Sequence, residues 1–216
     1  MFLSTTSRLS IASPLTNALS IPVNTPSGAE QSRAAREKVG MGLSANWSLL
    51  HVQGSGAEAI WADSFSAGST AIGSVLESSG NILLRLRRDE FLLLTPDLQG
   101  ARERYVSKPA ETLVTWTDIT HGRGVICLCG PHARDVLPKI CGLDFSNVQF
   151  PDRHAAQTSL AKVRALIVRM DAATLPAYYV IVDRSLVDYV WEVAHNAAQE
   201  WDVIVLSQDS LDQLRK

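Results

Sequence analysis

The feature that most narrows the folds open to this chain is an internal repeat. Val52-Gln53-Gly54 leads into Ala57 and then Ile60-Trp61, while Leu128-Cys129-Gly130 leads into Ala133 and then Val136-Leu137, so glycine and alanine recur together at an offset of 76 residues. A second event follows in each half. The apolar run Phe91-Leu92-Leu93-Leu94 precedes Thr95-Pro96-Asp97, and the run Tyr178-Tyr179-Val180-Ile181-Val182 precedes Asp183-Arg184-Ser185.

The segments between these landmarks complete the pattern. Runs rich in β-formers at 48–52, 81–86, 91–95 and 112–116 predict four strands in the first half, with Arg87-Arg88-Asp89-Glu90 as a hairpin turn. Runs at 124–129, 162–169, 177–182 and 202–206 predict four more. Ser55 and Glu58 have the spacing of a capping box after the first strand. Pro131 at the start of a stripe of Ala133, Val136, Leu137 and Ile140, closed by Cys141-Gly142, predicts a helix after the fifth. Ser185 is placed to cap a helix carrying Asp188 in its first turn and Leu186, Val190, Val193, Ala194, Ala197 and Trp201 on its buried face. Each half is thus strand, helix, strand, strand, helix, strand, the split βαβ order of ferredoxin-like units. The expected fold class is α+β, made of two βαββαβ halves at about 45–117 and 118–216. A sheet with helices on one face leaves the other face bare, so the second half or a partner must cover it.

Residues 1–40 stand apart. Up to Gly28 they are rich in Ser, Thr, Pro and Asn, carry Arg8 as their single charge and keep no period. Such a segment fits an organellar targeting peptide or an extended arm lying on a partner; one arginine is thin for the first, and the arm is the preferred expectation. The domain proper is then 41–216. Twenty basic residues against 22 acidic ones leave no net positive field to hold a nucleic-acid backbone. The apolar runs all break well short of the roughly 18 residues of a bilayer span. Three cysteines, Cys127, Cys129 and Cys141, do not make a disulfide framework and fit a reducing, cytoplasmic setting. Their spacing favours buried side chains over a zinc site.

The usual signatures of chemistry fail one by one. Gly54-Ser55-Gly56 lacks the third glycine of a dinucleotide loop, and no Gly-Lys-Ser/Thr pair, Gly-x-Ser-x-Gly elbow or HExxH helix occurs. No catalytic, cofactor-binding or metal-ligating residue is assigned on this basis. The densest polar cluster is Asp118-Ile119-Thr120-His121-Gly122-Arg123-Gly124. A carboxylate, an imidazole and a guanidinium so close together can bind an anion or move a proton. Asp, Thr and Gly are also ordinary turn formers, and a turn between strands is the preferred reading. Asp118, His121, Arg123 and, beside a predicted helix start, Arg184 are the candidate contacts to a partner or an anion.

Read in order, these same residues resemble a known family. Asp118-Ile119-Thr120-His121-Gly122-Arg123, Leu128-Cys129-Gly130-Pro131-His132-Ala133-Arg134-Asp135-Val136-Leu137, Leu143-Asp144-Phe145 with Phe150-Pro151, residues 156–163, and Val182-Asp183-Arg184-Ser185 with Trp191 resemble the gamma subunit of heterotetrameric sarcosine oxidase. Residues 84–94 resemble that family's "PDEW" strand, with Arg88 in place of Pro and Phe91 in place of Trp, and Ser13-Pro14-Leu15 resembles its N-terminal "SPL". The family is similar in turn to the folate-binding glycine-cleavage T-protein. The resemblance implies an accessory chain that keeps the folate-protein fold and carries no cofactor. FAD, FMN, NAD, zinc and tetrahydrofolate are then expected on the alpha, beta and delta subunits of a heterotetramer. It further implies oxidative demethylation of sarcosine to glycine by that complex, the one-carbon unit going to tetrahydrofolate or leaving as formaldehyde. The folate transferases use an aspartate just before the strand at 81–86, and here no acid lies between Glu77 and Asp89. A stand-alone folate-binding aminomethyltransferase is the alternative expectation.

Overall fold

The computed structural model describes residues 27–58, 71–106 and 113–215. Eleven strands among them form two sheets. In chain order these are β1 (Gly40–Leu43), β2 (Ser48–Gln53), β3 (Val75–Ser78), β4 (Asn81–Arg87), β5 (Glu90–Thr95), β6 (Thr115–Asp118), β7 (Arg123–Cys129), β8 (His154–Leu160), β9 (Val163–Arg169), β10 (Ala177–Asp183) and β11 (Ile204–Leu206). The α-helices are α1 (Gly28–Ala35), α2 (Leu98–Ala101), α3 (Ala133–Val136), α4 (Val187–Ala198) and α5 (Gln208–Leu214).

The internal repeat is written into the topology. One sheet runs β3-β4-β5-β2-β6 and the other, read from the same edge, β8-β9-β10-β7-β1-β11. With β1 set aside, the two orders superpose strand for strand. Within each half the strands that follow the first lie in the arrangement of a ferredoxin-like unit, extended by one edge hairpin strand, β3 or β8. Those two edge strands meet: Ser74 and His154 form a bridge, the Val75 N–H donates to the Arg153 carbonyl at 3.1 Å, and the Ala155 N–H donates to the Gly73 carbonyl at 2.7 Å.

The central strands β4, β5, β7, β9 and β10 are covered on both faces, which is why their sequences are continuous apolar runs instead of alternating ones. Leu92 and Leu94 of β5 face Val125, Cys127 and Cys129 of β7 and Tyr179 and Ile181 of β10 in a core between the sheets. The alternate residues Phe91 and Leu93 turn outward into a second core with Leu50, Val52, Ala101 and Tyr105. Ile126, Leu128, Tyr178, Val180 and Val182 turn the other way, onto Val190, Trp191 and Ala194 of α4 and onto Ala133 and Val136 of α3. The bare face expected of each half is thus filled by the other half.

Several expectations are corrected. The segment read as an extended arm lies outside the described residues through residue 26, but residues 28–35 are helical. There a capping box closes the end: the Ser27 N–H donates to Glu30 Oε2 at 2.8 Å and the Glu30 N–H to Ser27 Oγ at 3.4 Å. Helix α1 packs on α5 through buried Gln31, Ser32 and Ser210, with Ser210 Oγ donating to Gln31 Oε1 at 2.5 Å and the Ser207 N–H donating to the same oxygen at 2.9 Å. Ser185 does not cap α4. The chain leaves β10 through a tight 3-10 turn, Arg184–Leu186, whose backbone already accepts the Val187 N–H, so the helix starts without a side-chain cap. The stripe after Pro131 breaks into a short α3 and a 3-10 turn at Leu137–Lys139, because Pro138 has no N–H to continue the ladder. The helix expected through Ile60-Trp61 runs outside the described residues beyond Glu58.

Candidate functional site

The segment joining the two halves carries the polar cluster. Asp118 ends β6, a 3-10 turn spans Thr120–Gly122, and Arg123 begins β7. This link is held down by backbone and side chain together: the Leu49 N–H donates to Thr120 Oγ1 at 2.9 Å, and the Ile119 N–H donates to the Leu49 carbonyl at 2.9 Å. Asp118 folds back on the turn, accepting the Thr120 N–H at 3.0 Å and Arg102 Nη2 at 3.2 Å. Partial burial works to raise the Asp118 pKa, but the hydrogen bonds from Thr120 and the charge of Arg102 prevail and hold the carboxyl below the usual carboxylate range.

Arg123 stands opposite Asp183 in the β7–β10 pairing and makes an ion pair with it. Arg184 follows directly, half-buried, and His121 is exposed at the crest of the turn. Of the four expected residues, two are thus neutralised in separate ion pairs and two sit beside them on the same link and strand end. These partly exposed ion pairs make the link and the adjoining strand end a polar patch on the surface.

Two buried guanidiniums, neither foreseen from the sequence, lie deeper. Arg85 of β4 stands across from Phe91 with its guanidinium over that ring, 5.6 Å from the centroid. Arg169 of β9 stands across from Tyr178 with its guanidinium 5.7 Å from that centroid. The two arrangements are equivalent under the internal repeat, and both arginines are at most 5% exposed. Arg85 pairs with Glu58 at 2.9 Å. Arg169 is held by Asp171 at 2.9 and 2.8 Å, by Asn147 at 2.8 Å and by the Phe150 carbonyl at 2.7 Å. The only sequence signal was a charge closing an apolar run, as in Ala165-Leu166-Ile167-Val168-Arg169.

The cysteines do not converge. Cys127 and Cys129 face the core between the sheets and Cys141 faces the core under α3. A hydrogen bond with the Cys129 thiol, together with complete burial, pushes the Cys127 thiol well above its ordinary range, so it stays protonated at neutral pH. Among the described residues no three His, Cys, Asp or Glu side chains gather as a metal ion requires. None of the helices described is long and apolar enough to cross a membrane.

The resemblance implies an acid just before β4, at the β3–β4 hairpin. Its turn runs through Ser79 and Gly80, both at positive φ, into Asn81, which opens β4 and is buried. A carboxamide neither gives nor takes a proton near neutral pH. The nearest acid along the chain, Glu77, is paired with Arg153 at 3.4 Å. At the head of β4 this chain therefore carries a buried carboxamide where the resemblance would put a carboxylate.

Comparison with known proteins adds the lineage. The family model described as the GCVT N-terminal domain matches residues 22–216. A curated relative, sarcosine oxidase subunit alpha of Corynebacterium sp. (strain P-1), is 26% identical over 202 residues, 84% of this chain and 21% of the relative. The chain therefore spans about a fifth of the length of the curated relative it matches. Among solved structures, a chain of the heterotetrameric sarcosine oxidase from Corynebacterium sp. U-96, in complex with pyrrole 2-carboxylate, superposes with a TM-score of 0.65 at 24% identity, over 85% of this chain and 99% of that one. The glycine cleavage system aminomethyltransferase T of Bartonella henselae superposes with a TM-score of 0.64 at 17% identity, over 87% of this chain and 53% of that one. At these identities the structural likeness shows a shared fold.

Proposed function

This chain belongs to the GCVT N-terminal domain family, and we propose that within it the chain serves as an accessory, gamma-type subunit of a sarcosine oxidase-type flavoenzyme complex. In this reading the complex oxidatively demethylates sarcosine to glycine. FAD, FMN, NAD, zinc and tetrahydrofolate sit on the alpha, beta and delta subunits, where the one-carbon unit is passed to folate or released as formaldehyde. The observation that carries the reading is one of extent: the chain's fold covers nearly the whole of one chain of a heterotetrameric sarcosine oxidase. A unit of this architecture therefore occurs there as a chain of its own. Asn81 at the head of β4 supports an accessory role over a transferase role. The rim of Asp118, His121, Arg123 and Arg184 is the proposed contact with the larger subunits.

The test is affinity purification of the tagged chain from its native source, with identification of the associated chains and an absorption spectrum. Larger flavin-bearing chains and sarcosine-dependent formaldehyde release are expected in the eluate. The chain purified alone is expected to be colourless and inactive. Recovery without partners, combined with tight tetrahydrofolate binding by calorimetry, would instead favour a stand-alone folate protein; a flavin spectrum or amine oxidation from the lone chain would overturn the accessory role.

A further inference from the structure

The internal repeat supplies a control for one buried atom. Phe91 and Tyr178 occupy equivalent places, each the second residue of its strand, β5 or β10, each beneath a buried arginine, and each almost fully enclosed at 1% and 0% exposure. In the first half phenylalanine suffices. The Tyr178 hydroxyl is therefore not something the packing requires, and it has no hydrogen-bond partner among the described residues. A buried hydroxyl left unpaired is costly, and native structures rarely tolerate one without a ligand or water.

Arg169 has spare capacity beside it. A guanidinium carries five N–H groups. Nε donates to Asp171, Nη1 donates to Asn147 and to the Phe150 carbonyl, and Nη2 donates once to Asp171. One hydrogen on Nη2 is uncommitted by these contacts, on a side chain only 6% exposed. The rings of Phe145 and Phe150 pack against that of Tyr178, with centroids 5.8 and 6.3 Å away. The two open valences beside these rings are an O–H and an N–H, whose simplest common partner is a small neutral molecule able to accept from both.

We propose that the second half contains a built-in hydration site, in which one buried water molecule bridges the Tyr178 hydroxyl and Arg169 Nη2. The water accepts the guanidinium hydrogen, and the phenol hydroxyl completes the bridge as donor or acceptor. It makes the Arg169 network complete in a half where the equivalent phenylalanine of the other half leaves nothing to complete. The site is independent of which complex the chain joins.

A crystal structure of the full chain, or of the complex that co-purifies with it, at a resolution that orders internal solvent tests this directly. Alongside it, the melting temperature of Tyr178→Phe is compared with that of the parent. The expected results are an ordered solvent peak within hydrogen-bond distance of both atoms, its loss in the variant, and a melting temperature lowered by roughly 2–6 °C. The precedent of Phe91 indicates that the variant folds. A parent structure with no such peak, a peak that does not touch both atoms, or a variant that melts at or above the parent's temperature overturns the proposal.

Discussion

Gly54 and Gly130 hold the same position in the two halves and do the same work there. Each ends the first strand of its half at positive φ, +136° and +119°. Each donates its N–H, at 3.0 Å, to the carbonyl of the residue just before β5 or β10, Asp89 in one half and Pro176 in the other. Each also accepts from an alanine three residues on, Ala57 or Ala133. A side chain at Gly54 would collide with the Leu113 carbonyl, and one at Gly130 with the Lys38 carbonyl. Gly54→Ala and Gly130→Ala are therefore each expected to destabilise the fold by about 3 kcal/mol, from strain and backbone collision together. Gly80 is the comparison: its φ is +77°, but a Cβ there meets nothing within 4 Å, so Gly80→Ala should cost only about 1 kcal/mol. Urea denaturation of the three variants checks the order; equal losses at Gly80 and Gly130 would refute it.

Two of the hydrogen bonds between α1 and the α5 end converge on one side-chain oxygen. Gln31 Oε1 takes hydrogen bonds from both Ser210 Oγ and the Ser207 N–H, and Ser32 Oγ donates to the Ser210 carbonyl at 3.0 Å. Gln31→Ala takes this acceptor from the buried Ser210 hydroxyl and the half-buried Ser207 N–H, at a cost of about 2 kcal/mol. Hydrogen exchange is expected to quicken in residues 28–35 and 208–214 while β7 and β10 keep their protection. Uniform acceleration across all strands would show that the helix pair is not a separate unit.

These two cases show how much of the fold was legible in the sequence. The glycine–alanine pair at an offset of 76 residues encodes a local event, a left-handed turn that sends strand into helix, and local events leave local signals. The α1–α5 tie joins residues more than 170 positions apart, and nothing near Gln31 or Ser210 announces the partner. β1 was missed for the same reason: Gly40-Met41-Gly42 has no strand period of its own and is a strand because β7 and β11 flank it. The cluster from Asp118 to Arg123 was visible because its members adjoin in sequence. Arg85 and Arg169 were not, because what makes them notable is burial beneath a ring on the neighbouring strand.

Stability should depend on pH through His154. It lies at the seam where β3 meets β8, its ring edge-on to Phe150 with centroids 5.1 Å apart, and burial lowers its pKa from the ordinary value near 6.5. The charged groups beside it along the seam, Arg153 and Glu77, are paired with each other. Because the folded state binds the proton more weakly than the unfolded chain, no penalty exists well above pH 6.5. Stability is then lost as pH falls through the unfolded value, levelling off only below the folded one. Denaturation midpoints between about pH 5 and 7.5 should decline toward acid in the parent and decline less in His154→Gln. Parallel profiles would assign the dependence to other groups.

The two buried arginines give a repeat-related pair whose partner acids differ in enclosure and in the number of oxygens they offer. Asp171 is 15% exposed and grips Arg169 through both oxygens, whereas Glu58 is 47% exposed and reaches Arg85 through one. Removing an enclosed partner strands a charge where water cannot replace it, while removing a half-exposed one lets solvent take its place. Asp171→Ala is expected to cost about 4 kcal/mol and Glu58→Ala about 1 kcal/mol or less. The Arg169→Met/Asp171→Ala double variant should recover part of the Asp171→Ala loss, since it removes the stranded charge along with its partner. A double-mutant cycle by urea denaturation measures this as a coupling of about 2 kcal/mol or more at Arg169–Asp171, against less than about 1 kcal/mol at Arg85–Glu58. Equal couplings would mean that shared position in the repeat, and not burial of the acid, sets the strength of each pair.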